Sequence, residues 1–308
     1  MKIWVTAVMC AFASSAWADV PKVVTDIAPV QSLVAMVMGD LGEPELIVPP
    51  TASPHDHAMR PSEARSIAQS DIVIWMGPAL TPWLADSIVS LAPNATHLAL
   101  QDYAPNVLPF REGAQFEAHE HDAHDHADDH EEGHDESAEE IDPHMWLDPK
   151  NARAWLAEIT IALAEQDAEN AETYYANAAE AAAQLDVLDA QLRARMAVLG
   201  NRPFVVFHDA FHYFEARYGV EAVGAISASN AQAPSPRRLR EIEHIIEDTG
   251  AVCVFTEPQF NAGIVDAVSG QVKVGTIDPM GFDLPLGPDM YVQLMTQIAD
   301  GFDGCLSN

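Results

Sequence analysis

The stretch AENAETYYANAAEAAAQLDVLDAQLRARMAVL, residues 168–199, divides the chain in two and decides how the rest is read. It is rich in alanine and lacks glycine and proline, the two residues that most disfavour a helix interior. Leu185, Leu188, Leu192, Met196 and Leu199 recur at three- and four-residue steps, which places them on one face of an α-helix. At 1.5 Å per residue the helix would extend about 45 Å, as long as a small domain is wide. Between two folded halves it would act as a stiff connector. The alternative is an ordinary peripheral helix broken near Tyr174 and Tyr175.

Working outward on the amino-terminal side, short apolar runs at 22–25, 45–48, 72–75 and 97–100 read as strands. Ile72-Val73-Ile74-Trp75 is apolar throughout, the pattern of a strand covered on both faces. Helices are expected between the strands, over 30–38, over 60–69 opened by Pro61, and over 81–91 with Thr81 as cap. Asp148-Pro149 starts a further helix that runs to about 165. The carboxyl-terminal side repeats the alternation. Strands are expected at 204–207, 222–226, 252–255 and 272–277, with helices over 210–218, 235–250, 264–268 and 288–299. Alternating strands and helices predict an α/β fold of two similar lobes, each a parallel sheet flanked by helices. Ligands of such sheets bind beyond the carboxyl ends of the strands, so the cleft between the lobes is the expected site. The expected division is 1–18 as a signal peptide, 19–167 as the first lobe, 168–199 as the connecting helix and 200–308 as the second lobe.

One segment breaks the pattern. Residues 117–140, EAHEHDAHDHADDHEEGHDESAEE, alternate histidine with carboxylate and contain no Lys or Arg. So polar a segment cannot bury enough surface to offset its ordering entropy, so a mobile His- and acid-rich loop is expected over 113–141. Its six imidazoles, His119, His121, His124, His126, His130 and His134, would attract a divalent transition metal weakly. A merely solubilising acidic loop is the bland alternative, although solubility does not call for so much histidine.

The termini and composition bound the setting. Lys2, the apolar run over 3–13 and Ala16-Trp17-Ala18 form a secretory signal pattern that would leave Asp19 as the mature start. The apolar run is too short to span a bilayer, and no later stretch is long enough, so direct membrane insertion is not expected. A formal charge of −32 argues against nucleic-acid partners and anionic lipid, and suits cation capture. The mature chain keeps Cys253 and Cys305, an even pair that suggests a disulfide in an oxidising compartment. Thiolate ligation of a metal is the alternative, but the two lack the close spacing of zinc thiolate sites.

Three histidines stand at or beyond strand ends: His55 in Ser53-Pro54-His55-Asp56-His57, His144 directly after the acidic loop, and His208 after the 204–207 strand. Asp278 follows the 272–277 strand. Three imidazoles and one oxygen suit zinc, whereas manganese prefers harder, carboxylate-rich sites. His57 is expected as a partner or solvent-facing group, and His212, four after His208, as part of a weaker auxiliary site shared with the loop histidines. Asp56, Asp209 and Trp146 are candidates to support the ligands. His97 and His244 read as packing or surface residues.

The motifs PHDHAMRPS at 54–62, HMWLDP at 144–149, FHDAFHYFE at 207–215 and TIDP at 276–279 resemble those of the periplasmic metal-binding proteins of ABC importers, specifically the zinc-binding, ZnuA-like branch. The resemblance covers essentially the whole mature chain. It implies that His55, His144 and His208 ligate Zn2+ from both lobes, with Asp278 at the position of the carboxylate that completes the site in some members. In others, water or a Glu before the first histidine takes that place; here Pro54 removes the Glu option, and water competes with Asp278. The related manganese branch has Glu where this chain has His208. The resemblance further implies a monomeric periplasmic protein that hands zinc to an ABC permease in the inner membrane and catalyses nothing. Rival readings are an importer component for manganese or another divalent metal, a zinc hydrolase using an open coordination position, and a free-standing metal buffer. The chain lacks HExxH and an obvious general base.

Overall fold

A computed structural model describes residues 20–111, 113, 115–116, 141–227 and 233–307. The signal segment and the six histidines from His119 to His134 lie outside the described residues, as does most of the 113–141 loop.

The amino-terminal lobe runs β1 (Val23–Thr25), α1 (Ala28–Met38), β2 (Glu45–Leu46), α2 (Pro61–Ala68), β3 (Ile72–Trp75), α3 (Pro82–Leu91) and β4 (Thr96–Ala99). Two long helices follow, α4 (Pro149–Gln166) and α5 (Ala171–Met196). The carboxyl-terminal lobe runs β5 (Phe204–His208), α6 (His212–Tyr218), β6 (Ala222–Ser227), α7 (Pro236–Thr249), β7 (Cys253–Thr256), α8 (Ala262–Ser269), β8 (Lys273–Thr276) and α9 (Met290–Leu306). Both sheets are parallel, ordered β2-β1-β3-β4 and β6-β5-β7-β8. The two lobes therefore share one topology, as expected for the α/β architecture. In each sheet the strand order reverses direction beside the first strand, opening a crevice at the carboxyl ends of β1 and β3, and of β5 and β7.

Helix α5 is continuous past Tyr174 and Tyr175, and its buried face carries Leu185, Leu188, Leu192 and Met196. It starts at Ala171 rather than near 168 because Asp167 turns the chain: its carboxylate accepts from the Asn170 side chain at 2.6 Å and from the Tyr174 hydroxyl at 2.9 Å. Its 26 residues span about 39 Å. It packs against α1 of the first lobe and α9 of the second. One apolar core accordingly passes through both lobes, from Val34 and Trp155 to Phe214 and Phe302. Smaller cores lie on the outer faces, around Trp75 and Ile88 in one lobe and Phe207 and Ile242 in the other. A wide hinge opening would expose this shared core to water.

Several expectations shift. Asp148 caps α4 by accepting from Lys150 N, and Ser235 caps α7 by accepting from Arg238 N. Thr81 occupies the cap position of α3, but its hydroxyl makes no capping bond and is buried without a partner. The final helix runs on to Leu306, beyond the expected 299, despite Gly301 and Gly304. Gly301 has a packing reason: a Cβ there would meet the Thr276 carbonyl oxygen at 2.5 Å, so only glycine lets α9 lie against the end of β8. This extension brings Cys305 to Cys253 on β7, and the two are disulfide-bonded with Cα atoms 6.0 Å apart. No helix among the described residues is long and apolar enough to cross a membrane.

Candidate metal centre

His208 ends β5 at the crevice of the second sheet, and Glu257 stands one residue beyond β7 across it. The His208 ring Nδ1 lies 2.9 and 3.1 Å from the two Glu257 carboxylate oxygens. A carboxylate only accepts, so Nδ1 carries the proton and Nε2 presents its lone pair. His144 repeats the device: its Nδ1 donates to Asp142 Oδ1 at 2.7 Å, and its backbone N–H donates to the same oxygen at 3.0 Å. The chain enters this segment through a bridge between Pro109 and Ile141 and a bond from Asp142 N to Leu108 O. His55 comes from the loop after β2. That loop is held by Trp83 on α3, whose indole donates to Pro54 O at 2.9 Å, and by Glu63 on α2, which accepts from Arg60 N and binds His57 Nε2 at 2.9 Å.

These three histidines converge. One ligating nitrogen from each falls within 4.8 Å of the others, and no other group of three or more His, Cys, Asp or Glu does so among the described residues. The ring centroids stand 5.0 to 5.8 Å apart. The Nε2 atoms of His144 and His208 are 3.2 Å apart. With both Nδ1 atoms facing carboxylates, the two Nε2 atoms turn toward each other, an arrangement that can share one proton or ligate one cation. Two nitrogens bound to a tetrahedral zinc at ~2.0–2.1 Å would stand roughly 3.3 Å apart, so the spacing matches that ion. The cavity beside them, lined also by Trp146, Gln259, Phe260 and Met280, measures about 20 Å³, room for one water-sized particle.

The electrostatics divide the roles. Burial, then the neighbouring His144 and His208, holds His55 well below the usual histidine range. Burial works to lower His208 as well, but the Glu257 carboxylate outweighs it and the group is raised. Burial would raise Asp142, yet His144 beside it, the hydrogen bonds His144 donates and the neighbouring His212 bring it down to about 2, so it stays a carboxylate.

Asp278 is not brought into the cluster. Its Oδ1 accepts from Met280 N at 2.9 Å and from Gln259 Nε2 at 2.8 Å, and Oδ2 accepts from Phe282 N, so the turn after β8 engages both oxygens. His212 also stands apart from the three, with its Nδ1 3.6 Å from Asp142 Oδ2. Of the expected supports, Asp56 is exposed and Asp209 pairs with Arg111. Trp146 packs 5.2 Å from the His144 ring and donates to Pro279 O. His97 binds the Ala92 carbonyl, and His244 is exposed. Sequence reading missed Asp142 and Glu257 as ring partners. The strand-end rule that selects His208 would also have selected Glu257, and Asp142 lies only two residues before His144.

Two lobes that close three imidazoles around a cavity of this size define a binding protein for a single metal ion. The zinc-uptake complex component A, periplasmic, family model matches residues 23–305, and the chain belongs to that family. The high-affinity zinc uptake system protein ZnuA of Paracoccus denitrificans (strain Pd 1222) is 39% identical over 307 residues, covering 94% of this chain and 93% of that protein. A crystal structure of ZnuA superposes with a TM-score of 0.77 at 21% identity, covering 93% of this chain and all of that one (100%). The periplasmic zinc-binding protein TroA from Treponema pallidum superposes at 0.76 and 21% identity, over 94% and 99% of the two chains.

Proposed function

We propose that this chain is the extracytoplasmic zinc-binding component of an uptake system, capturing Zn2+ between its lobes and delivering it to an ABC-type membrane permease. The ligands are His55, His144 and His208. The observation that carries this reading is the 3.2 Å approach of the His144 and His208 Nε2 atoms with both Nδ1 protons held by carboxylates. The relatives are named for high-affinity zinc uptake, and the family description places them in the periplasm. The role is binding, and zinc is the cargo. Residues 1–18 are a cleaved signal peptide, 19–167 and 200–308 form the lobes, 168–199 form the connecting helix, and the mature protein is a monomer. The loop histidines His119, His121, His124, His126, His130 and His134, together with His212, raise the local zinc concentration by weak multivalent contacts.

The test is metal analysis of protein purified without added metal, followed by competition between zinc and manganese. One tightly held zinc per chain, lost in His208→Ala and not displaced by equimolar manganese, is expected. Manganese displacing zinc, or His208→Ala retaining it, would overturn the reading.

A further inference from the structure

Gln259 is the polar residue of this cavity that the three-histidine arrangement leaves unexplained. It lies on the second lobe after β7 and lines the cavity with His55, His144 and His208. Its Nε2 donates to Asp278 Oδ1 at 2.8 Å and, across the cleft, to the Pro50 carbonyl at 3.3 Å. Both neighbours of that nitrogen are acceptors, so the amide has one allowed orientation; turned over, its oxygen would face two oxygens. The remaining atom, Oε1, is shielded from solvent and has no hydrogen-bond partner. Leaving a buried carbonyl without a partner is costly, which makes it an acceptor held in place for a donor.

The donor is specified by what surrounds it. A tetrahedral ion on three imidazoles keeps one open position. The nearby carboxylates are all engaged: Glu257 with His208, Asp142 with His144, and Asp278 with the turn after β8 and with Gln259 itself. No carboxylate oxygen among the described residues joins the three nitrogens within 4.8 Å, which leaves the fourth place to a ligand from solvent. We propose that Gln259 positions a water molecule as the fourth ligand of the bound ion, its Oε1 accepting from that water while its amide N–H groups tie Asp278 and the Pro50 carbonyl together. The inference rests on the three-histidine reading. It makes Asp278 an anchor acting through Gln259, and it couples ion capture to a bond between the lobes. Gln259 is a positioning residue: removing it changes the ligand field without removing a ligating nitrogen.

The experiment measures zinc affinity by chelator competition, and the visible spectrum of the cobalt-substituted protein, for wild type, Gln259→Met, Asp278→Asn, the double variant and His208→Ala. Loss of such an outer contact typically weakens metal binding by roughly 10- to 100-fold. Gln259→Met is expected to fall in that range and to shift the cobalt bands, while apo folding by circular dichroism is unchanged. Asp278→Asn should cost no more than Gln259→Met, and nothing further in the double variant, because both act through one contact. Asp278→Asn abolishing binding in either background would make Asp278 a direct ligand and overturn the proposal. Gln259→Met matching wild type in affinity and spectrum, with His208→Ala inactive, would remove the role of Gln259 alone. If wild type holds no zinc, or His208→Ala holds it as well as wild type, the three-histidine reading fails and the proposal with it.

Discussion

Glu257→Gln tests how far the protein tunes its own ligand. The substitution keeps the shape of the side chain and one acceptor for His208 Nδ1, now 2.9 Å away, but removes the charge. A unit negative charge about 7 Å from a divalent ion, at an effective dielectric near 20, is worth at most roughly 5 kcal/mol. The retained hydrogen bond and the relief of burying a carboxylate in the apo protein offset part of this. The expected net loss is about 2 kcal/mol, or roughly 30-fold in zinc affinity, within the range usual for partners of metal-bound histidines. Glu257→Ala should lose more, because Nδ1 would then have no acceptor and the proton could settle on Nε2, blocking the ligating lone pair. The assay is competition against a chromogenic chelator of known zinc affinity, at fixed pH, on protein freed of metal. Equal affinity for wild type and Glu257→Gln would refute the argument that the carboxylate sets the charge and tautomer of His208. A smaller loss for alanine than for glutamine would refute the order of the two effects.

Three further outcomes follow from the geometry. His208 is raised above 6.5 and His55 is held well below it, so as pH falls a proton competes with zinc first at His208. Zinc affinity measured between pH 8 and 6 should therefore decline through the raised His208 value, and a flat profile would contradict it. In the apo protein the His208 shift contributes stability that is complete below about 6.5 and lost as pH rises through the raised value. His55, depressed in the fold, contributes the opposite dependence, with its stability lost as pH falls below its usual range. Reducing the Cys253–Cys305 bond, or replacing both residues by serine, reopens a 52-residue separation and should lower stability by about 4 kcal/mol while zinc still binds; thermal and chelator titrations check both halves. Replacing residues 117–140 by a short Gly/Ser linker should leave the tight site intact and reduce the number of weakly bound ions. The Pro109–Ile141 bridge already ties together the two ends of the chain that flank this segment. Calorimetry showing the tight site lost with the loop would defeat that division of labour.

The sequence by itself determined the strand–helix alternation, the long alanine-rich helix and the histidines at strand ends. These properties are written in local periodicity and in residue chemistry, which survive without knowledge of packing. The apolar run at Ile72–Trp75 and the leucine face of α5 read correctly because burial demands those residues wherever the partner lies. Element ends were less legible. Gly301 looks like a helix breaker until the Thr276 carbonyl is seen pressed against it, and Thr81 looks like a cap although its hydroxyl bonds to nothing. Only the tertiary structure decided which polar groups face one another. Asp278 has the residue type and strand-end position of a ligand, but its oxygens accept from the turn that follows and do not join the three histidine nitrogens. Glu257, 49 residues from His208, fixes that ring's proton because β5 and β7 are neighbours in the sheet, a relation set by crossover topology. A hydrogen bond depends on tenths of an ångström and on direction, and neither is carried by spacing along a chain.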